Sequence, residues 1–402
     1  MITRFIINKF MITGSGGTIE LSADRIKSME IRKRFLEDLH FRFLVTMKLL
    51  PSEVSILESG SSRATVTILE KGYTSETDID TEIPKYTKPV MNQSFDILVT
   101  SDTKSMKLQS TNTASETDEF NIVGLDQDFI EVEIALVSLD IIDKMKSMFG
   151  GLFGGARSST LLMDTLSSRG FGKMIVSPPS REISYKFAHI PNGSLTQNLD
   201  HINSVYGLYD SPYCLFFDID TLLLLNFTNP NIILSSGKKL RDVILHSPAE
   251  DNTEKVQRGF YYDGDKDQDV VYVSKEANLY DEDVMTDHLR ISSVMRANEG
   301  TSGVTQKFGN SSSAMTIYSD NPLEPLKIKN AIKINGSSLD INIPDCSYDI
   351  ISPLKKYFLD INTEELRTKA GTSWGLKSVV HQFNVDKAGY MLHDVVARFF
   401  MK

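Results

Sequence analysis

The sequence predicts a mainly β protein with a smaller α/β part, built from two similar β-barrel domains and an inserted mixed segment. Short runs of β-branched and aromatic residues recur between turns rich in glycine and serine, as in small barrels. Helical periodicity is instead concentrated in the middle of the chain. Because 402 residues exceed one ordinary domain, we expect a first β-barrel domain at 1–140, a mixed α/β segment at 141–250 and a second β-barrel domain at 251–402.

The first region carries a series of strand patterns. Pro51 opens a short helical turn within it. Residues 101–119 hold almost no apolar side chain, so we expect a mobile loop or an edge hairpin there. The predicted strands lie at 1–13, 18–21, 26–31, 40–50, 63–71, 95–100, 120–125 and 129–137.

Helical spacing begins near residue 138. Residues 139–149 and 159–166 place apolar side chains on one side of a helix. The glycine-rich stretch 150–156 lies between them, and glycine favours neither helix nor strand. We therefore expect a mobile linker that divides one helical region into two.

A further helix candidate is marked at both ends. Ser194 caps the helix pattern of residues 194–206, Gln197 completes a capping box, and Gly207 ends the helix. Residues 214–227 follow as an apolar and aromatic hairpin. This order of helix, turn and hairpin is typical of a small α/β insertion.

Strand patterns return in the last region. Residues 298–313 are rich in glycine and serine, and we expect another flexible segment there. The final two strands form a hairpin around the turn 384–389, and we assign both of them to the second barrel. The predicted strands lie at 270–274, 331–334, 339–343, 374–383 and 390–400.

The charge of the chain limits its partners. With 53 acidic and 43 basic residues, the net charge is −10, whereas phosphate binding needs clustered lysine and arginine. An acidic wall would instead let DNA slide past without specific binding. No apolar window reaches the roughly 18 residues of a membrane span, and Arg4 and Lys9 interrupt the first apolar run. We therefore expect neither a signal peptide nor stable membrane insertion.

Cysteine and histidine placement gives no metal signature. Cys214 and Cys346 stand alone, so we expect buried free thiols and a reducing compartment of synthesis. His381 and His393 flank the terminal turn and are placed to face each other, but two imidazoles without a carboxylate make a poor metal site. The histidines lie at 40, 189, 201, 246, 288, 381 and 393. We predict no metal-binding residues among them.

The strongest enzymatic signal is LFFDIDT at residues 215–221. An apolar strand ending in Asp-x-Asp-x-Thr is similar to the nucleophile motif of haloacid-dehalogenase-like phosphatases. This resemblance implies that Asp218 would attack phosphorus and that Asp220 would act as general acid and base. The structural alternative is a buried strand with two aspartates near its turn.

Two further fragments match that phosphatase family in composition but not in spacing. Residues 232–235 resemble its second motif, and Asp265 with Asp269 resembles its magnesium motif. However, Ser235 follows Asp218 by only 17 positions, whereas a parallel βαβ unit needs roughly 30 residues. We therefore predict that the protein is not an enzyme and has no catalytic or cofactor-binding residues.

The acidic run 263–269 leaves two interpretations open. DGDKDQD has the composition of a calcium loop, but an EF-hand needs glycine at its sixth position and glutamate at its twelfth. Here glycine is second and no helices flank the run. A solvated acidic turn and a structural cation site are both compatible with this sequence.

The order of elements resembles a known family. A barrel-like region, a helix, an aromatic hairpin and a closing β region are similar to the central hub proteins of contractile phage baseplates. The hub half of type VI secretion spike proteins is similar as well. The likeness covers 190–402 in element order and is strongest in SLTQNLDHINSVYGLYDSPYCLFFDID at 194–220 and LKSVVHQFNVDKAGYMLHDVVARFF at 376–400.

This resemblance implies a mechanical role. A homotrimer with two barrels per subunit would present six barrels, matching a sixfold tail tube on one side and a threefold central spike or tip on the other. The implied partners are the tail tube protein, the spike or tip protein and the surrounding baseplate proteins. The protein would be made in the host cytoplasm and reside in the virion. The alternatives are the phosphatase and another tail-tube or adaptor protein.

Overall fold

The computed structural model describes most of the first 229 residues and shorter segments beyond them. The predicted loop at 101–119, the strand at 120–125, the fragment 232–235 and most of the acidic run 263–269 lie outside the described residues. The described residues are 2–58, 61–74, 76–99, 129–229, 242–246, 260–262, 268–272, 277–281, 290–295, 302–307, 314–319, 323, 326–327, 330–331, 334–335, 337–344, 346–360, 372–385 and 391–402.

Strands outnumber helices throughout the described part of the chain, so the mainly β fold class is confirmed. The strands are β1 (Ile2–Gly14), β2 (Gly17–Glu20), β3 (Ile26–Arg34), β4 (Arg42–Leu49), β5 (Arg63–Tyr73), β6 (Tyr86–Val99), β7 (Ile130–Val137), β8 (Phe149–Arg157), β9 (Lys173–Val176), β10 (Ser184–Gly193), β11 (Tyr213–Asp218), β12 (Thr221–Asn226), β13 (Asp242–His246), β14 (Phe260–Tyr262), β15 (Gln268–Tyr272), β16 (Ala277–Asp281), β17 (Arg290–Met295), β18 (Ser302–Lys307), β19 (Ala314–Ser319), β20 (Ser337–Pro344), β21 (Tyr357–Asp360), β22 (Ser373–Val385) and β23 (Met391–Met401). The helices are α1 (Pro51–Glu58), α2 (Glu76–Asp80), α3 (Leu139–Lys146), α4 (Ser158–Ser167) and α5 (Leu195–His201).

The chain divides into two compact units that do not follow sequence order. The first unit contains 1–32, 42–139 and 381–394. The second contains 33–41, 140–380 and 395–402. The division into 1–140, 141–250 and 251–402 therefore stays a prediction, and residues 381–394 of the terminal hairpin group with the first unit.

The first unit is a closed β-barrel. Eight strands follow one another around it in the order β22, β3, β4, β7, β6, β5, β1 and β23, and β22 pairs with β23 to close the ring. Neighbouring strands run antiparallel, for example β1 with β5 and β4 with β7. Closure satisfies the backbone groups that an open sheet would leave unpaired at its edges.

Alternating side chains fill the barrel. In β4, Phe43, Val45 and Met47 are fully buried, while the residues between them are partly exposed. This period of two places one face of each strand toward the interior. The predicted strands 40–50, 63–71 and 129–137 are thus confirmed as β4, β5 and β7.

Aromatic rings and histidines pack where the ring closes. Phe5 lies edge-on to Phe383 and His393, with ring centroids 5.3 and 4.5 Å away. His381 and His393 stack, and their Nδ1 and Nε2 atoms lie 3.1 Å apart. The predicted facing of these two histidines across the hairpin is confirmed, and both side chains are buried.

The second unit combines a helical core with several sheets. Antiparallel β11 and β12 extend to β9 in one sheet, and β8 pairs with β10 in another. Leu161, Leu199 and Ile202 pack in its core. The predicted capping box is confirmed, since Ser194 and Gln197 bond each other's backbone N–H groups and Gly207 adopts a left-handed φ of 71°.

The glycine-rich stretch 150–156 is a strand, so the predicted linker is wrong. It forms most of β8, which pairs with β10 over nearly its full length. A Cβ on Gly150 would lie 2.6 Å from the backbone nitrogen of Asn192. Glycine is therefore needed there because the two backbones approach closely, and its presence does not mark a chain break.

Two further expectations in the last region are corrected. Residues 302–307, inside the segment expected to be flexible, form β18 between β17 and β19. Where it is described, the predicted strand 331–334 is helical. Residues 331 and 334 stand three positions apart, which is close to one helical turn, and the side chain of Ile334 is buried.

We expect Phe5→Ala to destabilise the first unit by about 3–5 kcal/mol, because it removes a buried ring from the closure. Native-state hydrogen exchange of the barrel amides would measure the loss. Leu392→Ala is the matched control, since that side chain is 42% exposed in the same hairpin, and its effect should stay within about 0.5 kcal/mol. Equal effects of the two substitutions would contradict this role for Phe5.

Candidate functional site

The motif singled out by the sequence forms the tip of a tight hairpin. Asp218 ends β11 opposite Thr221, which begins β12, so Ile219 and Asp220 make a two-residue turn. Such turns need left-handed backbone, and Ile219 has a φ of 47°. A β-branched residue rarely adopts this conformation, which indicates that the surroundings hold the turn in place.

Asp218 pairs with a buried lysine from β3. The ammonium of Lys33 lies 2.7 Å from Oδ1 and 2.9 Å from Oδ2 of Asp218. The Lys33 side chain is 3% exposed and that of Asp218 is 25% exposed. The same ammonium lies 4.6 Å from the ring centroid of Tyr348, which adds a cation–π contact.

These neighbours determine the ionisation of the buried groups. Burial alone would lower the pKa of Lys33, but Asp218 and Tyr348 together outweigh burial and raise that pKa above the usual lysine value. Burial raises the pKa of Tyr348 to about 12. Burial also raises the pKa of the Cys214 thiol, and the negative Asp218 adds to that increase. The site therefore holds one ammonium–carboxylate pair beside a neutral phenol and a neutral thiol.

The second aspartate of the motif is paired as well. Asp220 contacts the ammonium of Lys173, at the start of β9, and accepts a hydrogen bond of 2.8 Å from the hydroxyl of Thr221. The lysine lowers the pKa of Asp220. Each aspartate at the tip is thus neutralised by its own lysine, and these two ion pairs hold the turn from either side.

This arrangement does not match the phosphatase site that was considered as an alternative from the sequence. A phosphatase of that class places its nucleophile after a strand of a parallel sheet with βα crossovers, whereas β11 runs antiparallel to β12. Both carboxylate oxygens of Asp218 already contact the ammonium of Lys33. Ser235 and Asp265 lie outside the described residues.

No metal site is found within the part of the chain that the structure describes. There, no group of three or more His, Cys, Asp or Glu side chains is placed to hold an ion. Cys214 and Cys346 are free and buried, as expected. None of the helices in the described segments is long and apolar enough to cross a membrane.

A cavity of about 330 Å³ lies in the second unit. Its apolar lining includes Phe35 and Leu215, and its charged lining includes Glu37, Asp38 and Asp200. The acids already have protein partners: Arg34 contacts Glu37 and Asp38, and the Tyr213 hydroxyl donates to Asp200. Its carboxylates therefore act in internal hydrogen bonds and ion pairs.

The main residue missed from the sequence is Lys33. It stands on the inward face of β3, two positions after Ile31 and four after Met29, and all three side chains are buried. A lysine that continues an apolar alternation is the signal that could have identified it, because such a lysine needs a buried partner. Nothing local in the sequence pointed to Asp218 or Tyr348 as that partner.

We expect Lys33→Met to destabilise the second unit by about 3 kcal/mol, because it leaves Asp218 without its cation in a largely buried position. Since the folded-state pKa of Lys33 is raised, its contribution should be complete below the unfolded value of 10.5 and be lost as pH rises through the folded value. Chemical denaturation at several pH values would measure both effects.

The double variant Lys33→Met with Asp218→Leu is the matched control. Removing both charges should recover much of the lost stability, because replacing a buried ion pair by apolar groups often leaves the free energy of unfolding unchanged. A double variant as unstable as Lys33→Met alone would show that the ion pair is not the cause.

Comparison with known proteins places the chain in a phage family. The family model described as bacteriophage PBS1 gene 109 protein matches residues 11–396. No curated protein sequence matches the chain. Among solved structures, the tail protein from Neisseria meningitidis MC58 aligns with a TM-score of 0.49 and 11% identity, over 98% of this chain and 96% of that one.

Two other solved structures are similar at lower scores. The 43 kDa tail protein of prophage MuSo2 from Shewanella oneidensis has a TM-score of 0.46 and 10% identity, over 98% of this chain and 97% of that one. The E. coli c3393 protein, a type VI secretion component described as similar to T4 bacteriophage tail proteins gp27 and gp5, has a TM-score of 0.42 and 7% identity, over 94% and 73%. Because the family model spans nearly the whole chain, the protein belongs to the family of the bacteriophage PBS1 gene 109 protein, in agreement with the resemblance drawn from its sequence.

Proposed function

We propose that the protein is a structural component of a phage-type tail, and specifically the trimeric hub of its baseplate. The observation that carries this proposal is the closed eight-stranded barrel, which is built from both ends of the sequence and whose interior is filled by side chains. Such a barrel is a rigid block without free edges. Membership of a bacteriophage family supports the same function.

A hub of this kind adapts one symmetry to another. If the β region at 251–402 forms a second, similar barrel, three subunits present six barrels in a ring. That ring fits a sixfold tail tube on one side and a threefold central spike or tip on the other. Assemblies that never dissociate bury thousands of Å² of mainly apolar surface, and the alternating strand faces of this chain are suited to supply it.

The partners follow from this position in the particle. They are two further copies of the chain, the tail tube protein, the spike or tip protein and the surrounding baseplate proteins. The chain is made in the host cytoplasm and incorporated into the virion. Its net charge of −10 supports passage of DNA through the ring without specific binding.

The main alternative of the same class is another tail-tube or adaptor protein. Subunit number separates the two, because a tube protein assembles as hexamers and a hub as trimers. The phosphatase alternative is disfavoured by the pairing of Asp218 with Lys33 and of Asp220 with Lys173. We propose that the protein has no enzymatic activity.

The hub proposal predicts a particle of three times the chain mass of 45.1 kDa. Native mass spectrometry and light scattering of the purified protein across a range of concentrations would measure it. A stable monomer at high concentration would contradict the hub, and a hexamer would favour the tail-tube alternative. A full coordinate superposition of the two β regions gives an independent check, since unrelated folds would remove the basis for six equivalent barrels.

The purified protein is expected not to hydrolyse a generic aryl phosphate in the presence of magnesium. The reason is that Asp218 is bound by a buried ammonium and is not aligned for attack on phosphorus. A colorimetric assay of phenol release would measure any turnover. Wild-type activity that disappears in Asp218→Asn would overturn the non-enzymatic assignment.

A further inference from the structure

The ribbon of β8 and β10 in the second unit has one packed face and one exposed face. Ala188 and Ile190 point into the core with helices α4 and α5. On the other face, Leu152 is 73% exposed and Phe187 is 64% exposed. Large apolar side chains at this level of exposure, side by side on a regular sheet, indicate a surface that contacts another molecule.

The edge of β10 is already covered by side chains of the same unit. The N–H of His189 donates to the Tyr206 hydroxyl at 2.7 Å, and that hydroxyl donates to the carbonyl of His189 at 3.1 Å. His201 Nε2 lies 3.0 Å from the same carbonyl. The backbone groups of His189 therefore point away from β8 and have partners.

The edge of β8 is open. Leu152 stands opposite His189 and Gly154 stands opposite Phe187. In an antiparallel ladder, the backbone groups of two opposed residues either bond each other or both point outward. These two kinds of pair alternate along the strands, so residues two positions apart behave alike. Since those of His189 point outward, those of Leu152 and Gly154 do too, and no third strand pairs with β8 among the described residues.

Gly154 has no internal reason to be glycine. A Cβ placed there would meet nothing within 4 Å, and its φ is not in the left-handed region, in contrast to Gly155 with a φ of 63°. In contrast to Gly150, it does not approach another part of the backbone. A missing side chain at this edge leaves the backbone accessible to a neighbouring chain from outside.

The charged residues of the ribbon indicate the charge of the partner polypeptide. The ribbon carries Arg157 and Lys186, both exposed, and no acidic residue, although the whole chain has a net charge of −10. At one end of the ribbon, Arg169 is 5% exposed and donates to the carbonyls of Thr165 and Gly193. The exposed charges on the ribbon itself are therefore both positive, which favours an acidic partner.

We propose that the edge of β8 at Leu152–Gly154 receives an extended, acid-bearing segment of a partner polypeptide, which adds to the ribbon as a third strand. Backbone hydrogen bonds to Leu152 and Gly154 supply the affinity. Leu152 and Phe187 contact the apolar side chains of that segment, and Arg157 and Lys186 contact its carboxylates. This mode of recognition is strand addition to an open sheet edge.

The test uses the full chain and a short synthetic peptide of alternating glutamate and valine. Fluorescence anisotropy should show binding of this peptide and weaker binding of the matching lysine–valine peptide. Hydrogen exchange should slow at the amides of Leu152 and Gly154 on peptide addition and stay unchanged at Phe153, which already lies within the ladder opposite Ala188. Failure of both peptides to bind, or equal binding of both, would overturn the proposal.

Two variants test the two sources of affinity. Gly154→Pro removes an outward N–H without removing a ladder bond, and it should weaken binding roughly tenfold, as the loss of one hydrogen bond would. Lys186→Glu leaves the backbone untouched, so it tests the charge even if the proline variant misfolds. The controls are Met163→Gln, an exposed apolar residue on α4, and Lys146→Glu, an exposed lysine on α3.

If Lys186→Glu weakens binding of the glutamate–valine peptide no more than Lys146→Glu does, the choice of an acidic partner is refuted. A Gly154→Pro variant that folds and binds as well as Met163→Gln would refute strand addition. Neither result depends on subunit number. A monomeric protein that captures the peptide at this edge would refute the hub proposal and support this one.

Discussion

The terminal hairpin closes the barrel of the first unit, and the burial of its inward side chains depends on that closure. Without residues 381–394, β1 would lose its neighbour β23, and Phe5 would lose its contacts with Phe383 and His393. The pairing of β1 with β23 joins Phe5 to Met391, so nearly the whole chain lies between these two partners. Because such long-range pairing carries the largest loop-closure entropy, barrel closure depends on the correct placement of everything between.

In the second unit, a buried ion pair links two residues that are far apart in the sequence. Lys33 buries an ammonium that the carboxylate of Asp218 and the ring of Tyr348 compensate, and Asp218 ends the strand before a strained turn at Ile219. The position of β11 is therefore tied to residue 33 by electrostatics as well as by packing. The motif that resembles a nucleophile in the sequence has a structural role in the protein, since the buried ammonium of Lys33 holds the Asp218 carboxylate in position.

Local patterns in the sequence predicted the elements, while long-range pairing decided their assembly. The capping box at Ser194, the hairpin at 214–227 and the facing of His381 and His393 were predicted correctly, because each depends on neighbours close in sequence. The partner of Lys33 lies 185 positions away, and no local rule identifies it. The stretch 150–156 was misassigned because glycine was interpreted by its conformational freedom, whereas here pairing with β10 determines its structure.

Strand edges differ between the two units. The barrel of the first unit is closed and rigid, whereas the ribbon of β8 and β10 in the second unit is suited to recognition. In the first unit every strand of the ring has a neighbour on both sides, so its backbone groups offer nothing to another chain. In the second unit β10 has its edge covered by Tyr206 and His201, whereas no other strand of the described segments pairs with β8 at Leu152 and Gly154. A fold that covers one edge of a two-stranded ribbon and leaves the other flat, apolar and basic exposes an incomplete sheet. The physical completion of such a sheet is a strand from another molecule.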